Sequence, residues 1–373
     1  MSRRETQAER DARFMRRALE LARKGTGRTS PNPAVGAVVV RRGRIVGEGF
    51  TQPAGGAHAE VGAIAAAGEK ARGATLYCTL EPCCRTGRTG PCTEAIVSAG
   101  IVRLVGGATD PNPGVKGRGF RALRAAGVEV VPHIEEAACR SQIRFFRKHI
   151  ATGLPFVRLK LATSLDGKIA TRTGASHWIT GAPARRRVHV WRNEMDAVMV
   201  GVGTVLADDP RLNTRIRGGR DPIRVVVDSK LRTPLEAALL KTGKGRVIFA
   251  TTRLASGRRE KALVERGAQV LRVASRAGRV DPGSLLRHLG KLGILSVLVE
   301  GGAALAASLM RANCVDELAL FQAPVFIGGD GKGMCGSLGT RTPADGIRLG
   351  DHEIERVGRD MLHIGRPVGP GRK

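Results

Sequence analysis

Apolar positions in the first 150 residues of the chain switch repeatedly between helical and strand-like spacing. Over residues 8–24, Phe14, Ala18, Leu21 and Ala22 fall on one helical face, and Gly25 closes the run. Residues 34–40 and 45–50 are short β-rich runs around an Arg-Arg-Gly turn, which predicts a hairpin. A helix is expected over residues 58–67, a strand over 74–80, and a second helix opening at Cys92 and reaching Ala99. Strands at 101–105 and 128–131 flank a helix at 119–126, and a helical stretch at 135–149 follows. Such alternation predicts a partly parallel sheet covered on both faces. In sheets of that kind reactive groups gather at helix starts beyond strand ends, where His58, Cys83 and Cys92 fall.

The alternation stops at Thr152-Gly153-Leu154-Pro155 and then restarts. Residues 156–161, 197–200, 223–227, 247–250, 270–273, 294–299 and 318–321 all read as strands. A second complete α/β domain is therefore expected, with domains at residues 1–150 and 151–373. No fixed-period repeat is present, and only the Gly/Pro/Arg-rich tail from Gly365 onward reads as disordered.

Composition narrows the setting. No apolar run is long enough to span a membrane, and the charged first 25 residues lack the apolar core of a secretory signal. Seven cysteines, three of them within ten residues, suit a metal site in a reducing cytoplasm better than a disulfide framework. The net charge of +29 predicts attraction to polyanions, either nucleic acid or phosphorylated small molecules. Against nucleic acid, the arginines are spread through both halves and only 3% of residues are aromatic, leaving few rings for base stacking.

The strongest chemical signal is His58-Ala59-Glu60, followed by Pro82-Cys83 and Pro91-Cys92. One histidine and two cysteines supply three zinc ligands and leave the fourth tetrahedral position open for water. Glu60 is then placed to move protons without binding metal, the arrangement of hydrolytic zinc deaminases. The loop between Cys83 and Cys92 holds eight residues (84 to 91), where the general deaminase pattern has two. Cys84 reads as a bystander or a competing thiolate; Cys78, Cys139, Cys314 and Cys335 read as residues without chemistry.

Signals in the second half are weaker one by one. Gly301-Gly302, after an apolar strand and before an Ala-rich helix, is a place where phosphate can meet exposed backbone N–H groups. Gly201-Val202-Gly203 is equally a tight strand-to-loop turn, and no G-x-G-x-x-G marks a Rossmann unit.

Together these segments carry a resemblance. Thr79-Leu80-Glu81-Pro82-Cys83, Gly87-Arg88-Thr89, Pro91-Cys92, Pro31-Asn32-Pro33 and Asp110-Pro111-Asn112-Pro113 resemble the deaminase half of the bifunctional RibD family of riboflavin biosynthesis. Leu159 to Lys168, Trp178-Ile179-Thr180, Gly201 to Pro210 and Val299-Glu300-Gly301-Gly302 resemble its reductase half, so that the likeness covers roughly residues 10–365. The resemblance implies a cytidine-deaminase-like three-layer α/β/α domain followed by a dihydrofolate-reductase-like α/β domain. It also implies two reactions: zinc-dependent removal of the 2-amino group of a diaminopyrimidinone bearing a ribosylamino 5′-phosphate, then NADPH-dependent reduction of the ribosyl group to a ribityl chain.

By the same resemblance His58, Cys83 and Cys92 hold zinc, Glu60 is catalytic, and Asn32 and Arg88 contact substrate. NADPH contacts carry over to Ala162, Trp178, Thr204, Asp208, Gly302, Ala303, Ala304, Leu305, Ala306, Ala307 and Ser308. Substrate contacts in the second half carry over to Ser176, Arg192, Leu212, Arg215 and Glu300, with Arg192 and Arg215 suited to clamp a phosphate. Asn32 between two prolines is also a plain turn residue, and Arg88 a plain loop arginine. Asp166 is held as a support of the site and not as a proton donor. The chain departs from the family at Thr51, Cys84, Arg85 and Gly90, which leaves room for a relative acting on another aminopyrimidine. A deaminase of nucleic-acid bases is the remoter alternative, since it leaves the second half unexplained. Family likeness further implies a cytoplasmic homo-oligomer, dimer or tetramer.

Overall fold

The computed structural model describes residues 5–86, 90–242 and 245–369. The chain forms two compact units, Met1–Gly153 and Leu154–Lys373.

In the first unit five strands lie in the order β2-β1-β3-β4-β5: β1 Gly36–Arg41, β2 Arg44–Phe50, β3 Thr75–Leu80, β4 Arg103–Ala108 and β5 Glu129–Val131. The β1–β2 hairpin turns at Arg42 and Gly43, both at positive φ (50° and 76°), which matches the twist of the flanking strands. β3, β4 and β5 run parallel, while β1 is antiparallel to both its neighbours. Helices α1 Gln7–Gly25, α2 Ala59–Ala67, α3 Cys92–Ser98, α4 Arg118–Ala125, α5 Glu136–Gln142 and α6 Arg144–Thr152 accompany the sheet.

α1 begins in a capping box, Thr6 Oγ1 accepting from the Glu9 N–H while Glu9 accepts from the Thr6 N–H. Phe14, Ala18 and Leu21, the face read from the sequence, are buried. α2 lies so close on β2 that a Cβ added at Gly49 would sit 2.3 Å from the Ala59 carbonyl oxygen. That approach fixes the start of α2, where His58 and Glu60 stand. Instead of one helix, residues 135–149 form two, α5 and α6, because the buried Ile143 leaves helical geometry at φ −99° and ψ 19°.

The second unit holds a nine-stranded sheet, ordered β11-β10-β9-β8-β14-β6-β15-β18-β17. Its members are β6 Phe156–Thr163, β8 Ala197–Gly201, β9 Ile223–Val227, β10 Val247–Thr251, β11 Gln269–Arg272, β14 Ser296–Glu300, β15 Glu317–Gln322, β17 Arg348–Val357 and β18 Asp360–Val368. Short pairs lie outside it: β7 Lys168–Ala170 with β16 Lys332–Gly333, and β12 Ser275–Arg276 with β13 Arg279–Val280. From β11 to β15 the strands are parallel; β18 and β17 add an antiparallel edge. Helices α7 Ala182–Glu194, α8 Val202–Asp208, α9 Ala238–Lys241, α10 Gly257–Glu265, α11 Pro282–Lys291 and α12 Ala303–Arg311 complete the unit.

Two cores, one built on β8, β14 and β6 with α11 and α12 and the other on the opposite face of β8, β9 and β10, confirm a sheet buried on both sides. The tail read as disordered from Gly365 is instead strand as far as Val368, its residues 366–368 paired with Arg348, Leu349 and Gly350 of β17, and residues 370–373 lie outside the described residues. β17 escapes sequence reading because it is an exposed edge strand crowded with charge, Asp351, Glu353, Glu355 and Arg356 among its ten residues.

Candidate active sites

In the first unit β3 ends at Leu80, and the chain then passes Glu81 and Pro82 to Cys83. Glu81 is buried and accepts from four backbone N–H groups, those of Asp110, Gly117, Gly119 and Phe120. Its carboxylate thereby ties the Asp110–Asn112 turn and the start of α4 to the segment carrying Cys83. His58 is the N-cap residue of α2, and Cys92 opens α3. The Cys92 N–H donates to Cys83 Sγ at 3.4 Å.

His58 Nδ1 lies 3.2 Å from Cys92 Sγ and 3.6 Å from Cys83 Sγ, and the three ligand atoms all fall within 4.8 Å of one another. A tetrahedral zinc with bonds of about 2.0 Å to nitrogen and 2.3 Å to sulfur sets its N and S ligands about 3.5 Å apart. The cluster fits that metal in both donor chemistry and spacing. Hydrogen bonding from Cys92, and then from His58, holds the Cys83 thiol below its usual range despite burial, and the same contact pushes Cys92 up. Glu60 stands at the second position of α2, 5% exposed, and burial pushes its carboxyl up.

Asn32 is half-buried; its backbone is held by Thr29, and its amide has no partner among the described residues. Arg88 lies outside the described residues. Thr51, one of the departures, is buried, and its hydroxyl accepts from the Val35 N–H at 3.0 Å, so that it braces the start of β1. Cys78 and Cys139 are buried, whereas Cys84, Cys314 and Cys335 are half-buried.

In the second unit Glu300 ends β14, and Thr204 stands on the helix that follows β8. Arg192 of α7 donates Nε and Nη2 to Glu300 at 2.6 and 2.9 Å, and Nη1 to the Asn213 carbonyl at 2.9 Å. Its fork is thus committed to a buried carboxylate. Leu212 is buried, Arg215 exposed and Ser176 half-buried. Trp178 is 64% exposed, with the Arg185 guanidinium 4.4 Å above its ring. Ala162 lies on β6, Thr204 and Asp208 on α8, while Gly302 to Ser308 form the turn into α12 and its first residues. Thr204 Oγ1 reaches within 3.4 Å of where a Gly302 Cβ would be, which brings α8 and the Gly301-Gly302 turn together. Asp166 accepts from Ser164 Oγ and from the Ile327 and Gly328 N–H groups, and the Ser164 bond first of all holds its carboxyl down at about 2. It acts as a loop tie.

A cavity of about 640 Å3 opens beside these loops, walled by Gly201, Gly203, Ala304, Leu305 and Ser308 and carrying no carboxylate among its lining residues. Glycine backbone at the start of two helices, with no opposing acid, fits an anionic dinucleotide.

Sequence reading missed two groups here. Lys160 of β6 is half-buried, its ammonium pulled down by desolvation against the opposing Glu300 charge. His189 of α7 is pushed down by burial and by the Arg192 and Arg215 charges, and its Nδ1 is buried without a hydrogen-bond partner. His189 stands three positions before Arg192, one helical turn, and that spacing was the available signal.

The family model described as the cytidine and deoxycytidylate deaminase zinc-binding region matches residues 8–108, and that of the RibD C-terminal domain matches residues 155–363. The riboflavin biosynthesis protein RibD of Actinobacillus pleuropneumoniae is 43% identical over 356 residues, 94% of each chain. That of Escherichia coli is 41% identical over 369 residues, 95% of this chain and 99% of its own. Among solved structures, Acinetobacter baumannii RibD superposes with a TM-score of 0.87 at 37% identity, covering 97% of this chain and 100% of its own. A diaminohydroxyphosphoribosylaminopyrimidine deaminase/5-amino-6-(5-phosphoribosylamino)uracil reductase of Thermotoga maritima gives 0.84 at 36% identity, with the same coverage. The fold is thus the expected pair, a cytidine-deaminase-like domain followed by a dihydrofolate-reductase-like one. With both halves matched along nearly their whole length, the chain belongs to the RibD family of riboflavin biosynthesis proteins.

Proposed function

We infer that the protein carries out two consecutive steps of riboflavin biosynthesis, a zinc-dependent hydrolytic deamination followed by an NADPH-dependent reduction. The observation that carries the reading is the His58, Cys83 and Cys92 cluster beside a buried Glu60, on a chain that continues into a reductase domain.

In the first unit His58, Cys83 and Cys92 hold the metal, and zinc when bound supplies Lewis acidity toward a water in the open position. Glu60 takes one proton from that water and gives it to the ring nitrogen, then carries the second, from the hydroxyl added to the carbon, to the departing amine, a role that its raised pKa suits. Water is consumed and ammonia released. Asn32 offers a free amide to the pyrimidine, and Arg88 serves the phosphate. In the second unit NADPH, when bound, supplies the hydride. The turn from Gly302 to Ser308, with Thr204, Asp208, Ala162 and Trp178, orients the cofactor. Arg192 and Glu300 hold each other and face the sugar, with Ser176, Leu212 and Arg215 completing the substrate wall. The substrate is the phosphorylated diaminopyrimidinone of the family.

No helix among the described residues is long and apolar enough to cross a membrane. A homo-oligomer is proposed, to be checked by the mass of the protein in solution.

A coupled assay separates the two halves. On the zinc-loaded protein ammonia release should precede NADPH oxidation, and chelation of the metal should stop ammonia release while leaving oxidation with the deaminated intermediate intact. NADPH oxidation that proceeds on the undeaminated compound, or survives only with metal present, would overturn the order proposed.

A further inference from the structure

Trp178 is 64% exposed, yet the chain beside it is firmly held. Each of the next three residues has a side-chain partner for its backbone. The Ile179 carbonyl accepts from Arg359 Nη2 at 3.4 Å and the Thr180 carbonyl from Arg185 Nη1 at 2.6 Å. The Gly181 N–H donates to Oδ2 of the buried Asp360 at 2.8 Å. Fixing an exposed indole costs conformational freedom and returns little to the free protein; the cost is recovered when a ligand ring covers it.

The residue that fixes the ring is Arg185. It stands in the first turn of α7, and because helix side chains lean toward the N-terminus, its guanidinium reaches back over the chain that precedes the helix. There it lies 4.4 Å from the centroid of the Trp178 ring while it donates to the Thr180 carbonyl, so that one planar group holds both side chain and backbone. A cation at this end of a helix opposes the helix dipole, and the first turn of α7 carries no acid to offset it. Helix stability therefore does not account for an arginine here; the contact with the ring does.

We propose that Arg185 is a positioning residue, holding the Trp178 ring as a preformed wall for a flat ring of the cofactor while touching no reacting atom itself. The proposal rests on the placement of Trp178 in the NADPH site, but the hold on the indole can be read with no cofactor present.

The chain has two tryptophans, so Trp191→Phe leaves Trp178 as the sole emitter of the full-length protein. Time-resolved anisotropy in that background should show little fast local motion of the ring without cofactor. Arg185→Ala should enlarge the fast component, and Arg185→Lys, which keeps a cation over the ring, should enlarge it less. In protein with both tryptophans, calorimetry should show Arg185→Ala weakening NADPH binding about three- to tenfold, with Arg185→Lys recovering most of the loss. The kcat of NADPH oxidation at saturating cofactor should stay within about twofold of wild type, because a residue that only positions a binding wall acts on KM. A ring no looser in Arg185→Ala overturns the proposal, as does unchanged NADPH affinity or a loss that falls on kcat. A wild-type protein that binds no NADPH takes the reductase reading down together with the proposal, whereas normal wild-type binding that Arg185→Ala leaves intact sinks the proposal alone.

Discussion

The guanidinium of Arg192 and the carboxylate of Glu300 meet fork to fork, through bonds of 2.6 and 2.9 Å, at a place where both side chains are nearly buried. Burial alone would raise the Glu300 carboxyl, but the Arg192 charge outweighs it and keeps the group ionised. A planar fork is needed for that geometry, and an ammonium cannot replace it. Arg192→Lys should therefore cut NADPH oxidation about ten- to a hundredfold, the worth of one charge-assisted contact. Ammonia release should be untouched. Equal loss of both activities would show that the pair supports the whole fold and not the reductase site.

The contact of Gly49 with the first turn of α2 gives a second test. A methyl group there would collide with the Ala59 carbonyl oxygen at 2.3 Å and the Ala63 nitrogen at 2.4 Å, both backbone atoms. Gly49→Ala should destabilise the first unit by about 1–3 kcal/mol. Because Ala59 lies between His58 and Glu60, zinc content and ammonia release should also fall in the fraction that remains folded. Full zinc occupancy with normal deamination would mean that α2 moves away without disturbing its N-terminus.

Acid stability follows from Asp11 of α1. Burial works to raise its carboxyl, yet the hydrogen bonds from Arg103 and Tyr77 prevail and hold it below the usual range. A group lowered by folding contributes stability that is complete above its unfolded value, about 3.9, and is lost as pH falls through the folded one. This contribution should therefore be constant from pH 5 upward and shrink below about pH 4. Asp11→Asn leaves the Arg103 guanidinium, 15% exposed, without its main partner, and should cost about 2–4 kcal/mol at neutral pH. Its melting temperature should in turn depend less on pH below 4 than that of the wild type; an unchanged acid limb would remove Asp11 from the account.

Much of the site was legible in the sequence because chemistry constrains it locally. Zinc needs nitrogen and sulfur donors, Glu60 must be two residues from His58 to share the first turn of α2, and Cys92 must open a helix. The β1–β2 hairpin was legible for a similar reason, its Arg42-Gly43 turn being a local demand. What could not be read depends on contacts made at a distance. Glu81 looks like any acid beside a proline until four N–H groups from residues 110–120 point at it. Lys230 and Arg279 are 49 positions apart in a chain full of basic residues, and only the folded chain shows that both line one cavity. β17 hid behind its charges, and the one-helix reading of residues 135–149 failed because helical spacing does not reveal the single residue, Ile143, at which the backbone leaves helical geometry.

The central claim is that Glu60 is the proton carrier of a zinc deaminase, and ammonia release by Glu60→Gln tests it most directly. The variant keeps size and polarity, removes the ionisable group and leaves His58, Cys83 and Cys92 in place. With zinc content verified as equal to wild type, ammonia release from the diaminopyrimidinone phosphate should drop about 10²- to 10⁴-fold. Oxidation of NADPH with the deaminated intermediate should be unchanged. A zinc-loaded Glu60→Gln protein that releases ammonia at the wild-type rate would contradict the account.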